Sequence, residues 1–497
     1  MKKEAYLLTF DLGTTGNKVA VWETNGRVVD SQTVPYPVQT LRPGWVQQRP
    51  IDLWQSCVEA CRALTERGKF DPNDLAAIGL SGTMNGMIAV DESGAPVFPS
   101  IIHSDTRSGQ QAERQLDLMG MRDWYELTGS RPSARFSLTK VMWLRDNHPD
   151  LYNRTAWVIQ TKDFIRGKLT GVWGVTDPSD ASLSGMLNVL GRHWAKDALR
   201  DLDVDPAILP EILPSYAIAG TLGYTPARLL GLPEGIPVAV GGGDGACAAR
   251  GAGLTEPGQL YACIGSSAWI SQMSDDLMDR EGLRLMNYYD LDGEHLVPTG
   301  TVQAAATSLD FAVRMLGLQS VREAEELARS SPAGSLGLLY APYLQGERAP
   351  MWDDDIRGAF LGLDIRHTPA HVARAVYEGV SYALDTVLDI FRQECGQPAR
   401  MTVLGGGAQS DFWIRMLADV LDCPLQVHRQ PRMGTSLGAA MTAGVASGVF
   451  ATWEEAAGMA GVRPEVFPMG EPAYDAMRAL FARVYPALCE VRGAGLV

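Results

Sequence analysis

Asp244 stands inside a glycine run, Gly241-Gly242-Gly243-Asp244-Gly245, that ends the apolar stretch 236–240. A carboxylate at the C-terminal end of a strand can take the proton of a substrate hydroxyl as that hydroxyl attacks a phosphoryl group. It can equally be an ordinary helix N-cap, satisfied by its own backbone. A second cluster lies near the start of the chain. There Asp11 closes an apolar run, the turn Gly13-Thr14-Thr15-Gly16 follows, and Lys18 comes next. Small turn residues expose backbone N–H groups, Thr14 and Thr15 add hydroxyls, and together they can cradle a phosphate. Asp11 is placed to hold a metal ion beside it. The same residues also suit an edge hairpin with a polar tip.

Two further groups suit a polyhydroxylated ligand. In Gly82-Thr83-Met84-Asn85-Gly86, Asn85 can hydrogen-bond sugar hydroxyls and Met84 can line the apolar face of a small polyol; alternatively, Asn-Gly is simply a turn. In His103-Ser104-Asp105-Thr106-Arg107, Asp105 offers a second hydroxyl acceptor or one half of a surface Asp/Arg pair. The charged stretch 343–362 reads as a cleft-lining segment or a solvated connection.

Two motifs are look-alikes. Residues 243–248 fit GxGxxA, but a carboxylate inside that turn would repel a dinucleotide's pyrophosphate. Residues 434–438 fit GxSxG, yet the last histidine, His428, precedes Ser436, so the hydrolase order of Ser, acid and His fails. Small-residue helix packing explains that motif better. Neither GxxxxGK[ST] nor HExxH occurs.

The elements that must position these residues alternate between strand and helix, which makes the class α/β. Asn25-Gly26 is a strong hairpin signal after the second apolar run. The Thr14-Thr15 turn therefore joins strand to strand, unlike a Walker or Rossmann loop, which opens a helix. Residues 51–67 read as a helix with Trp54, Val58, Cys61 and Leu64 on one face. Residues 75–82 read as a buried strand, 87–91 as a strand before a turn, and 156–160 as a strand before a helix from Lys162-Asp163. The Pro- and Leu-rich stretch 201–235 reads as irregular.

Residues 236–253 read as strand, glycine turn and small-residue helix. Residues 259–273 then give strand, Gly265-Ser266-Ser267, strand, an echo of the opening hairpin. That echo suggests an internal duplication with a cleft between the halves and a boundary near 244–253. Thr368-Pro369 opens a helix whose apolar face includes Val372, Val376, Val380 and Leu384. Residues 401–421 read as strand, Gly405-Gly406-Gly407, and a helix capped by Ser410 or Asp411. That turn lets a nucleotide's sugar or base edge approach the backbone. The Gly- and Ala-rich helix over 436–448 lets another element pack close.

The chain has 497 residues, which predicts two domains. Lys and Arg number 43 against 58 Asp and Glu, so the net charge is 43 − 58 = −15. That argues against nonspecific nucleic-acid binding but not against an anionic ligand held by a local nest, a lysine and a metal ion. No run approaches a membrane span. The first apolar run follows Lys2 and Lys3 and stops at Asp11, too short for a secretory segment. Seven cysteines without framework spacing point to reduced thiols in a cytoplasm. Cys57 and Cys61 lie one helical turn apart, and the lack of CxxC argues against zinc.

Taken in order, the pieces match a family. They are DLGTTGNK at 11–18, SGTMNG at 81–86, SDTR at 104–107, KDFIRGKLTG at 162–171, GGGDGACAARGAG at 241–253, IGSSA at 264–268, PYLQGERAPMWDDDIRGAFLGL at 342–363 and LGGGAQSDFWIRMLADVL at 404–421. The chain resembles the FGGY carbohydrate kinases, most closely their xylulokinase-like members, over nearly its whole length.

The resemblance implies a two-domain, actin-like ATPase fold of the ribonuclease H-like type, with duplicated halves over a cleft. Residues 1–245 would form the sugar-binding domain with the first phosphate hairpin, and residues 246–497 the nucleotide-binding domain. It implies ATP-dependent phosphorylation of a pentulose such as D-xylulose, with Mg²⁺. Asp244 matches the catalytic base and Asp11 the magnesium-side carboxylate. Thr14, Thr15 and Lys18 match the first phosphate loop, Gly265 and Ser266 the second, and Gly406 and Gly407 the adenosine-side glycines. Met84 and Asn85 match the substrate pair, with Asp105 beside them. Homodimers are implied by the resemblance alone.

Two departures leave the substrate open. Xylulokinases usually carry Met-His where this chain has Met84-Asn85, and the Arg-Glu of glycerol kinases is absent. Arg49 stands where an acid is usual. L-Xylulose, ribulose and erythritol are alternatives, and an actin-like module that binds ATP and sugar without phosphotransfer is another. The dinucleotide look-alike would make the chain a dehydrogenase.

Overall fold

The computed structural model describes residues 5–493, so Lys2 and Lys3 lie outside the described residues. The chain divides into two compact units. One comprises Met1–Thr255, Met273–Val297 and Met433–Gly461; the other comprises Glu256–Gln272, Pro298–Arg432 and Val462–Val497.

The first unit is built on β1 (Tyr6–Leu12), β2 (Gly16–Glu23), β3 (Val28–Pro35), β4 (Leu75–Gly82), β5 (Ile218–Thr221), β6 (Pro237–Ala239) and β7 (Gly242–Gly243). The order across the sheet is β5-β6-β4-β1-β2-β3, and β7 also pairs with β4. The β1–β2–β3 meander is antiparallel, whereas β1, β6 and β7 all run parallel to β4.

Strand alternation divides β1 and β2 between two cores. Leu8, Phe10 and Leu12, with Val19 and Val21, pack against Leu53, Cys57, Cys61 and Leu64 of the helix Pro50–Arg67. Leu7, Ala20 and Trp22 pack on the other face, against Leu437, Ala440, Met441 and Ala443 of the helix Gly434–Ala446. The sheet is therefore covered on both sides, as parallel strands require.

The stretch 201–235 is more ordered than its composition predicts. Ile218–Thr221 pairs antiparallel with Pro237–Ala239, and Tyr224–Leu230 is a helix. Pro226 lies in the first turn of that helix, where the backbone N–H it lacks would have no intrahelical partner.

The second unit is built on β8 (Leu260–Ile264), β9 (Ala268–Gln272), β10 (Thr299–Val302), β11 (Met401–Leu404) and β12 (Leu425–Val427), in the order β10-β9-β8-β11-β12. Here too a meander of three antiparallel strands continues into two parallel ones. This matches β3-β2-β1-β4-β6 in order and sense, so the duplicated halves exist as two sheets of one topology. The helix Pro369–Cys395 is capped by Thr368 and buries Val376, Val380 and Leu384.

The segment 343–362 belongs to this unit and is no merely solvated connection. Glu347, Ala349 and Ile356 are buried. Ala359–Leu361 pairs with Leu339–Ala341, and Arg492 and Tyr485 bind Asp353. No helix among the described residues is long and apolar enough to cross a membrane.

Candidate active site

Parallel pairing places Asp11 opposite Ser81 and Ser81 opposite Gly242, in one row across β1, β4 and β7. The C-terminal ends of three strands converge there, where α/β sheets build ligand sites. Each strand runs on into a candidate segment: β1 into the Thr14-Thr15 turn, β4 into Met84-Asn85, and β7 into Asp244.

Lys18 lies opposite Asp11 on β2, and its Nζ is 3.8 Å from an Asp11 carboxylate oxygen. Burial raises the Asp11 pKa, while Lys18 and Ser81 pull it down. The turn between them is held by its carbonyls. Tyr36 Oη donates to Gly13 O, Gln48 Nε2 to Thr14 O at 2.7 Å, and the Tyr36 amide to Thr15 O at 3.1 Å. The Gly13 amide closes the turn on Gly16 O at 3.0 Å, so with the carbonyls consumed inside the protein it is the Thr14 and Thr15 groups at the tip that suit an anion. Thr15 is exposed and Thr14 half-buried. Sequence reasoning missed Tyr36 and Gln48, because both lie outside the glycine-rich motif.

Asp244 is the first residue of the helix Asp244–Gly251, and Gly243 is its N-cap. The N-cap alternative for Asp244 therefore does not hold. The residue as a whole is half-buried. Burial first, and the negative charge of Asp11 second, push its pKa up to about 7, against the pull of the Gly245 amide.

Met84 and Asn85 are buried, with 6% and 7% of their surfaces exposed. A side chain added at Gly243 would lie 2.5 Å from the Met84 sulfur, so the thioether rests on the backbone that presents Asp244. Asn85 adopts φ 63°, a left-handed conformation that Asn tolerates better than most residues. Its Oδ1 is buried without a hydrogen-bond partner.

Asp105 is fully buried. Its carboxylate pairs with Arg107 at 2.8 Å and accepts the Val46 amide. The Arg107 guanidinium lies 4.3 Å from the Trp45 ring centre and 5.0 Å from that of Trp143. The Asp/Arg pair expected at the surface is thus an interior one, because two indoles cover the guanidinium.

In the second unit, the turn Gly265-Ser266-Ser267 repeats the carbonyl arrangement. Ser267 O accepts the Gly265 amide at 2.8 Å, Ser266 O the Ala305 amide at 2.8 Å, and Gly265 O the Ala306 amide at 3.0 Å. Ser266 is left exposed. Gly405, at φ 88°, sits against Ile264 O, so the Gly405–Gly407 turn lies beside the end of β8. A Cβ at Gly406 would meet the Arg432 guanidinium at an ordinary contact distance of 3.7 Å, while Gly407 is crowded by Ile264 and Trp413. Ser410 caps the following helix, accepting from the Trp413 amide at 3.0 Å.

The look-alikes resolve as packing. A Cβ at Gly438 would fall 1.9 Å from Cys247 O, and one at Gly251 would fall 1.9 Å from Gly434 O. The buried Ser436 hydroxyl lies 2.8 Å from Thr9 Oγ1.

The N-terminal domain model of the FGGY family of carbohydrate kinases matches residues 6–251, and its C-terminal domain model matches residues 260–447. The chain belongs to the FGGY family of carbohydrate kinases. Its activity is ATP-dependent phosphorylation of a sugar. Among FGGY relatives, a xylulose kinase of Bacillus subtilis is 32% identical over 456 residues, covering 91% of this chain and 90% of its own. A gluconokinase of the same organism is 30% identical over 437 residues, covering 85% and 84%. The structure of a ligand-bound xylulose kinase from Lactobacillus acidophilus aligns with a TM-score of 0.88 at 26% identity, over 99% of this chain and 98% of that one.

Proposed function

We propose that this FGGY kinase phosphorylates a pentulose, with D-xylulose first in order, and that Asp244 is its catalytic base. The carrying observation is Asp244 itself: a desolvated acid raised to about 7, at the converging strand ends and on backbone that touches Met84. Such an acid can take a hydroxyl proton near neutral pH. The xylulose kinase names of the relatives support the sugar.

In this reading the sugar lies on Met84, and the unpartnered Asn85 Oδ1 accepts a hydrogen bond from one of its hydroxyls. Asp244 accepts the proton of the attacking hydroxyl as its oxygen bonds to the γ-phosphorus of ATP and the bond to ADP breaks. Thr14, Thr15 and Lys18 receive phosphate oxygens, as does Ser266, while Gly265, its amide held by Ser267 O, shapes that turn. Gly406 and Gly407 admit the adenosine. Asp105, with its oxygens taken by Arg107 and Val46, holds the segment bearing Gln48 rather than the sugar.

Among the described residues no three His, Cys, Asp or Glu side chains gather as a metal cage. One carboxylate, Asp11, suits Mg²⁺ bound mainly by nucleotide oxygens and water. When bound, Mg²⁺ would neutralise phosphate charge. A cytoplasmic setting goes with this reading, supported by seven cysteines that form no disulfide among the described residues.

The test is ADP release with D-xylulose, L-xylulose, D- and L-ribulose, erythritol, glycerol and gluconate. The highest kcat/KM is expected for D-xylulose. A preference for gluconate would overturn the substrate. ATP binding without ADP release on any sugar would favour a binding module.

A further inference from the structure

The Gly243 amide, immediately before Asp244, donates to Ser179 Oγ at 2.9 Å. Ser179 Oγ in turn donates to Asp177 Oδ2 at 2.5 Å. A hydroxyl has one proton, so its bond to Asp177 leaves a lone pair for Gly243. Asp177 caps the short helix Pro178–Leu183 through the Ser179 and Asp180 amides. Capping alone does not account for its other partners. Oδ2 also accepts the Ser215 hydroxyl at 2.8 Å, and Oδ1 lies 2.9 Å from Lys162 Nζ.

Lys162 is wholly buried and also contacts Asp163 at 2.7 Å and Asp180 at 3.0 Å, while Arg166 reaches Asp163 at 2.9 Å. Burial drives the Asp180 pKa up, against the pull of the Lys162 charge. This cluster also packs under the sugar segment. A Cβ at Gly82 would lie 2.9 Å from the Lys162 amide nitrogen, and the Thr83 and Thr161 hydroxyls are 3.3 Å apart.

We propose that Ser179, oriented by Asp177, is a positioning residue for Asp244: its hydroxyl holds the Gly243 amide and so fixes where the acid enters the site. The proposal rests on the reading of Asp244 as the base. Gly242 and Gly243 have no side chains with which to anchor themselves. Leu291 and Met84 crowd them, at 2.0 and 2.5 Å from where each Cβ would stand. The Ser179 hydroxyl is the polar tie that completes this seat. Small displacements of a reacting group lower rates steeply without weakening ground-state binding.

The experiment compares S179A, S215A, D244N and the double variant S179A/D244N, with thermal unfolding of each. S179A is expected to lower kcat by about ten- to a hundredfold while both KM values hold within about twofold. In the D244N background the same change should remove nothing further, because Ser179 acts through Asp244. S215A deletes a hydroxyl from the same Asp177 oxygen without touching Gly243, and should soften the fold while keeping kcat. Should S179A fail to fold, S179C fills the space with a weak acceptor and should show the same loss of kcat. Unchanged kcat in S179A or S179C, an equal loss in both backgrounds, or an S215A loss matching that of S179A would overturn the proposal. Near-full turnover in D244N alone would remove the base reading itself, and it is visible without any change at position 179.

Discussion

Asp11 and Asp244 are electrostatically linked: burial first, and the charge on Asp11 second, raise Asp244 to about 7. An acid with that pKa is half protonated near neutrality and works as a base only when ionised. kcat/KM for the sugar should therefore rise with pH through about 7 and level off above it. D244N should lower turnover by roughly 10²–10⁴, the range for a general base, and abolish that limb. A limb that persists in D244N would assign the titration to another group.

Asn85 makes a separate prediction. Its Oδ1 is buried and unpartnered, and its backbone is left-handed. Glycine accepts that backbone, so N85G deletes the amide without adding strain. Loss of a buried hydrogen bond to a sugar hydroxyl should lower kcat/KM for the sugar by about ten- to a hundredfold. KM for ATP should stay within twofold. An equal rise in both KM values would mean that the loop, not the sugar contact, had been disturbed.

Many of the candidate segments in each unit were legible because they are short, local motifs. The Asp11 hairpin, the Gly265-Ser266 hairpin and the Gly405–Gly407 turn each lie within a few residues and carry turn chemistry. What supports them was not legible. Tyr36, Gln48 and Ser179 reach the glycine turns from distant parts of the chain, through backbone groups that any sequence possesses. Asp105 read as a hydroxyl acceptor or as one half of a surface pair with Arg107, because nothing local signals that Trp45 and Trp143 will cover the guanidinium. The stretch 201–235 looked irregular because its strand depends on pairing with Pro237–Ala239 and its helix is short and Pro-containing. The GxSxG segment shows the converse: its glycines are explained by contacts made across the fold.

That segment gives a stability prediction. At Gly438 an added methyl would lie 1.9 Å from the backbone oxygen of Cys247, which no side-chain rotation relieves. Cys247 is on the helix that begins at Asp244, so G438A should push the two helices apart. A loss of about 1–3 kcal/mol or more is expected for such overpacking, read by denaturant unfolding. Turnover should fall with it. In the same assay S436A should lose less, since it deletes a hydroxyl without demanding space. Equal stability of G438A and the parent would show that the helices have room to part.

Glu347 predicts a pH dependence of folding in the second unit. Its side chain is buried, and one oxygen accepts the Gln303 and Arg348 amides, each at 2.9 Å. The other oxygen has no hydrogen-bond partner. Burial outweighs those two amides and lifts its pKa to about 8. The folded chain thus keeps this proton up to about pH 8, whereas the unfolded chain releases it near 4.5, the ordinary value. Between those limits the folded state binds more protons, so this group's contribution to stability falls as pH rises. Below about 4.5 both states are protonated and the contribution is fully present; above about 8 both are ionised and it is gone. Glutamine is neutral at every pH and keeps an acceptor for the two amides. The difference in Tm between E347Q and the parent should therefore be small at pH 5 and grow in favour of E347Q towards pH 9. The free-energy difference there is on the order of a few kcal/mol. Taking the difference between the two proteins at each pH removes the titration of every other group. A difference that stays constant from pH 5 to 9 would mean that Glu347 ionises normally in the folded chain.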